Sequence, residues 1–123
     1  MKFVTFVLLL FTSIPSLAAE GAITHIVLCW LKDKGNETRI QEVIQVSREL
    51  SIIDSLEEIK VGTALPSERD IVDDSFDVGM VMTFKDQQSL QDYLVHEEHV
   101  KRVKQVLAPE CAKVLIYDIV YDR

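Results

Sequence analysis

The apolar positions change period several times along the chain, and each change marks an element. From Ile23 to Leu31 (ITHIVLCWL) almost every position is apolar or β-branched, which predicts a strand. Asp33-Lys34-Gly35-Asn36 reads as a turn, with Asn36 placed to cap a helix. From Glu37 to about Leu50 the period lengthens, and Ile40, Val43, Ile44, Ser47 and Leu50 fall on one helical face. Alternation returns over Ile59 to Leu65, with Ile59, Val61, Thr63 and Leu65 on one side. Pro66 to Ser75 (PSERDIVDDS) is a polar, acidic connection, read as a solvated hairpin tip around Asp70, Asp73 and Asp74. Asp77 to Phe84 (DVGMVMTF) predicts a third strand, with Phe76, Met80, Met82 and Phe84 as core. Asp86 caps a second helical region that runs to Leu107, with a break near His96 and an end at Pro109. Lys113 to Tyr121 (KVLIYDIVY) is the fourth strand.

The order βαββαβ is that of an α+β, ferredoxin-like split βαβ arrangement. Its usual form is a four-stranded antiparallel sheet, order 4-1-3-2, with both helices on one face. The strand faces add a second expectation. A sheet covered on one side should be polar on the other. Here the first strand carries His25, Val27, Cys29 and Leu31 on one face and Ile26, Leu28 and Trp30 on the other. The fourth strand is apolar on both faces, with Val114, Ile116 and Val120 opposite Leu115, Ile119 and the tyrosine rings. Leaving such a face wet would expose a larger apolar patch than soluble monomers tolerate. A homodimer with the two sheets face to face resolves this, with Ile26, Leu28 and Trp30 in the interface. The alternative for Trp30 is cover by the C-terminal tail of its own chain.

The first residues, MKFVTFVLLLFTSIPSLAAE, have the anatomy of a secretory leader: Lys2, an apolar run from Phe3 to Phe11, then Ser16-Leu17-Ala18-Ala19. Residues 1–19 are therefore read as a signal peptide and 20–123 as a single exported domain, periplasmic or secreted; an uncleaved anchor helix is the alternative. The chain has 13 basic and 20 acidic residues, and losing Lys2 takes its net charge from −7 to −8. Such a surface repels phosphate backbones and anionic lipid, so no nucleic-acid or peripheral membrane partner is expected. The two cysteines, Cys29 and Cys111, lack the spacing of a zinc or redox motif. The expected topology sets the end of the first strand beside the start of the fourth. Together with export, this favours a bridge; two separate buried thiols are the alternative.

Candidate chemistry is concentrated in Tyr93 to Val100, YLVHEEHV, which holds two of the three histidines. An imidazole titrates near neutral pH and can act as general acid or base. His99 fits that role, with Tyr93 positioning a carbonyl or phenol oxygen. The bland reading has His96 ending a helical segment and His99 packed in the core. His96 and His99 with Glu97 or Glu98 could in principle ligate a metal, but this is not the His-Glu-x-x-His arrangement. No metal and no cofactor is expected; haem has no attachment motif. There is no nucleophile elbow, phosphate loop or dinucleotide fingerprint. Asp118 reads as structural, bonded to a neighbouring loop.

Three stretches together resemble the stress-responsive α/β-barrel (Dabb) domain family: His25-Ile26-Val27-Leu28, Phe84-Lys85-Asp86 through YLVHEEHV, and Val114-Leu115-Ile116-Tyr117-Asp118. The resemblance implies a dimeric α/β barrel of two ferredoxin-like subunits. Some plant members are polyketide cyclases, closing a chain in a pocket between sheet and helices. By resemblance His99 matches their acid/base histidine, His25 and Tyr93 match pocket residues, and His96 matches the first histidine of the pair. The chain departs from the pattern at three positions. Glu97 stands where the family often has proline, Val78 where cyclases carry a further histidine, and Ser47 where they carry a tyrosine. The implied ligand-binding set is thus His25, Tyr93, His96 and Val78. The leading reading is a domain that binds a small apolar or aromatic molecule. The alternatives are a lyase, cyclase or isomerase using His99, and a stress-linked interaction protein with no open pocket.

Overall fold

A computed structural model of the chain describes residues 21–122. The leader read at 1–19 lies outside the described residues. Four strands form one antiparallel sheet in the order β2-β3-β1-β4. They are β1 (Ile23–Leu31), β2 (Glu58–Gly62), β3 (Val78–Phe84) and β4 (Cys111–Val120). Helix α1 (Glu37–Arg48) follows β1 and tightens into a 3₁₀ turn over Glu49–Ile52. Helices α2 (Gln87–Val95) and α3 (Glu97–Arg102) follow β3. The chain then widens into π-type turns over Val103–Leu107 and closes with a short turn, α4 (Ala108–Glu110). This is the ferredoxin-like arrangement expected from the pattern.

The helix starts have the anticipated caps. Asn36 accepts from the Arg39 amide at 3.1 Å and Asp86 from the Ser89 amide at 2.8 Å, each satisfying a donor that the first turn leaves free. The predicted face of α1 is buried: Ile40, Val43, Ile44 and Ser47, with Leu50 beside them. Its partners are the helix-side residues of the sheet: Ile23, Val27, Cys29 and Leu31 from β1, and Val78, Met80, Met82 and Phe84 from β3.

Several boundaries differ from the expectation. β2 ends at Gly62, which pairs with Gly79, near the start of β3. Beyond it β3 offers no ladder, so Leu65 leaves the sheet and is fully out in solvent. Pro109 does not end the helical region at once but sits in its last short turn, directly after the π-type turns of Val103–Leu107. Phe76 is not core: it lies half-buried on the open face, over Gly79. A Cβ at Gly79 would sit 3.1 Å from the Phe76 ring.

Trp30 is half-buried and packs on its own chain through the β2–β3 connection rather than the tail, with part of its ring left on the open face. Its Nε1 donates to Ser75 Oγ at 2.9 Å, its ring meets Phe76 edge-on, and Lys113 Nζ sits 4.5 Å above it. Ile26 and Leu28 lie half-buried on the same face, next to the more exposed Val81, Tyr117 and Ile119. Asp77 has a larger part than its sequence position suggested. Its buried carboxylate accepts from the amides of Leu31 (2.8 Å) and Gly35 (3.0 Å), tying the β1–α1 turn to the start of β3. Gly35 takes φ +75° in that turn, a conformation that a side chain would oppose.

Candidate functional site

β4 is an edge strand that the helices do not cover. Its Val114 and Ile116 stay half exposed on the helix side. Between them and the α2–α4 segment is a cavity of about 310 Å³. Its walls are apolar, with Val27, Met80, Met82 and Leu50 beneath and Val103 and Leu107 above. Three polar side chains reach it: His25, Tyr93 and His99. Among the described residues no lysine, arginine, aspartate or glutamate lines it.

The sheet register assembles the first part of this polar end. His25 on β1 stands directly opposite Asp118 on β4. Its Nδ1 donates to Asp118 Oδ1 at 2.5 Å, with the imidazole buried and the carboxylate half exposed. The ring is held edge-on between Phe84 (6.4 Å between centroids) and Tyr93 (6.2 Å). Tyr93 comes from the last turn of α2 and is only 1% exposed. Burial alone raises its phenol well above the ordinary value, so it stays protonated and keeps an O–H to donate.

The helix break supplies His99. His96 leaves the helical region at ψ 138°, and its Nδ1 accepts from the Glu98 amide at 3.1 Å. His99 stacks at a tilt on Tyr93, 4.5 Å between centroids, and its Nδ1 contacts the Leu94 carbonyl at 3.0 Å. A carbonyl oxygen only accepts, so Nδ1 carries the proton and the neutral ring has its free lone pair on Nε2. Desolvation lowers the His99 pKa, against the Leu94 hydrogen bond, which raises it; the charges of His25 and His96 lower it further. His99 is therefore a neutral imidazole at pH 7, with a basic nitrogen available.

This shift has a stability consequence. The folded pKa lies below the unfolded value of about 6.5, so the unfolded chain binds the extra proton. The contribution is complete above about pH 6.5 and is lost as pH falls through that value towards the folded pKa. Urea midpoints are expected to drop between pH 7 and pH 5.5, and His99→Gln to flatten that part of the profile. An unchanged profile in the variant would refute the assignment.

Two of the expected ligand-binding residues do not reach the cavity. His96 is exposed and caps α3. Val78 is on the helix side of the sheet but fully buried in the core, one end away from the polar group. Met80 and Met82, on the same face of β3, line the wall instead. Asp118, read as a loop contact, is the partner of His25. The antiparallel register of the first and last strands would have revealed that pair. Cys29 and Cys111 are joined by a disulfide, Cα atoms 5.6 Å apart, and both border the cavity. Among the described residues no group of three His, Cys, Asp or Glu side chains is arranged to hold a metal ion. No helix among them is long and apolar enough to cross a membrane.

Sheet order, helix placement and cavity define a ferredoxin-like α+β domain with a pocket between sheet and helices. The chain belongs to the stress responsive A/B barrel domain (Dabb) family, whose model matches residues 23–121. A stress-response A/B barrel domain-containing protein of Arabidopsis thaliana is 28% identical over 101 residues, which are 82% of this chain. The chain spans only 37% of that relative's length. Among solved structures, a ferredoxin-like Dabb protein from Mesorhizobium loti superposes with a TM-score of 0.70 at 25% identity, covering 84% of this chain and 99% of the other. The hydroxynitrile lyase of Passiflora edulis gives 0.71 at 20% identity, over 84% and 95% of the two chains. A dimeric ferredoxin-like protein from Thermobifida fusca gives 0.67 at 20% identity, over 82% and 92%.

Proposed function

We propose that this domain binds a small, uncharged, largely apolar or aromatic molecule bearing one carbonyl or hydroxyl group. The observation that carries the reading is the cavity itself: apolar walls with a single polar end. Tyr93 offers a donor and His99 Nε2 an acceptor, which suits a carbonyl or a phenol. An anion would enter without a counter-charge and lose its hydration, a cost of several kcal/mol on the order seen for buried unpaired charges. At about 310 Å³ the space is at the small end of ligand sites, about 300–1,000 Å³.

The domain acts as a homodimer in this reading. The open face of the sheet, with Ile26, Leu28, Val81, Tyr117 and Ile119, is an apolar surface of the kind that a second copy covers. The dimeric Thermobifida fusca protein of the same fold supports this. Export to an oxidising compartment belongs to the same proposal, supported by the leader pattern and by the Cys29–Cys111 bridge.

Native mass spectrometry of the full chain isolated from its own source tests the reading. A dimer carrying a small neutral organic adduct is expected. Ligand-free monomer in every preparation would overturn it.

A second reading is favoured by the His99 geometry: a lyase, cyclase or isomerase in which Nε2 takes a proton from bound substrate. The fold likeness to a hydroxynitrile lyase supports an enzyme without assigning a residue. On this reading His99→Gln should cut turnover by roughly 10²–10⁴-fold while leaving ligand affinity largely intact. Undiminished turnover in the variant would remove His99 from that role.

A further inference from the structure

His96 faces solvent, outside the cavity that His99 lines. In an unbroken helix the Leu94 carbonyl would accept from the amide four residues on, that of Glu98. In this chain the Glu98 amide is taken by His96 Nδ1 at 3.1 Å. The Leu94 carbonyl is thereby released, and the His99 ring occupies it at 3.0 Å. Each of these bonds permits the next. The backbone at His96 already has a helical φ of −63°, and only its ψ of 138° departs from the helix. A single rotation would therefore fuse α2 with α3 and return Leu94 to the Glu98 amide.

We propose that His96 is a positioning residue: its side-chain cap holds the helix break open so that the Leu94 carbonyl fixes the tautomer and orientation of His99. His96 is the side chain that caps the start of α3. A proline after His96 would also hold the break, because it disfavours the helical conformation of the residue before it. This chain has Glu97 there, a good helix former. The cap of His96 supplies what that proline would. Glu97 and Glu98 in the first turn of α3 favour a helix start here through the dipole, but neither side chain takes up the Glu98 amide, which only His96 does. The proposal concerns the site described above, but its main readout does not require that the site bind anything.

The test is ¹⁵N NMR of the His99 ring in the full chain at pH 7.5, with 2-naphthol binding as a second readout. Wild type should show a protonated Nδ1 and an unprotonated Nε2. His96→Ala should bring the two nitrogen shifts towards each other, as Leu94 is reclaimed and the tautomers mix. His96→Asn keeps a side-chain acceptor at the cap and should restore the wild-type pattern. The double variant His96→Ala with Glu97→Pro should restore it as well, by a different route, since proline is well tolerated at the first helical position. His96 is exposed and outside the core, so these chains should fold. A pure Nδ1–H tautomer in His96→Ala overturns the proposal. So does mixing that neither His96→Asn nor the added proline reverses, which would make the histidine needed for some other reason. If the tautomer responds as expected but 2-naphthol binds every variant equally, or none, His96 keeps its positioning role and the pocket reading loses its His99 contact.

Discussion

Reducing the Cys29–Cys111 bridge is expected to lower the stability of the domain by about 4–5 kcal/mol. The two cysteines are 82 residues apart, so the bridge closes a loop that holds α1, β2, β3 and the α2–α4 segment and pins the end of β1 to the start of β4. In the chain-entropy view, a loop of that length removes many conformations from the unfolded ensemble and few from the native one. The cost approaches the lower end of the roughly 5–15 kcal/mol that holds a typical domain together, so the reduced protein should fold with little margin. Urea denaturation of oxidised and reduced protein checks this at pH 7.5, above the range in which His99 titrates. Equal midpoints would show that the bridge contributes little. Direct alkylation of both thiols in the unreduced protein would show that it does not form.

Phe84→Ala is expected to cost about 3–5 kcal/mol. The ring is fully buried at the end of β3. It lies 5.1 Å from Tyr93 and 6.4 Å from His25 between centroids, so it forms the wall against which both polar side chains rest. Alanine leaves a cavity that β3, with its neighbours paired on both sides, cannot collapse to fill. Phe84→Leu keeps most of the volume and should cost about 1.5 kcal/mol or less. The same urea experiment separates them, with unchanged denaturant slopes if both remain two-state. A loss in Phe84→Ala no larger than in Phe84→Leu would mean that the site relaxes around the gap. A tilt of Tyr93 into that gap should also weaken ligand binding in the alanine variant.

The candidate site was legible in the sequence to the extent that its chemistry was local. His99, Tyr93 and the helix break near His96 lie within one heptad, and their spacing set them on neighbouring turns. Alternation alone grouped His25 with Val27, Cys29 and Leu31 on one face of its strand. His96 and Val78 were misplaced for a different reason. Their roles were carried over from a resemblance, and neither side chain lines this cavity. An imidazole that turns outwards to cap a helix looks the same in sequence as one that turns inwards. Val78 shares a face with Met80 and Met82, but the cavity runs along the strand only part of the way. Asp118 was missed because its partner is 93 residues earlier, and only the β1–β4 register brings the two together.

Local sequence specifies the set of elements and the faces they bury. Hydrophobic period, caps at Asn36 and Asp86, and the βαββαβ order are properties of neighbouring residues, and these were enough to specify the sheet order. The tertiary structure decided where the cover stops. Whether β4 is roofed by a helix depends on how far α2–α4 reach across the sheet, a matter of packing between segments far apart in the chain. They stop short of Val114 and Ile116, and the gap left there is the cavity. Side-chain direction at a helix end, and the hydrogen bond that a released carbonyl takes up, were settled at that same level, because they depend on which group arrives first in space.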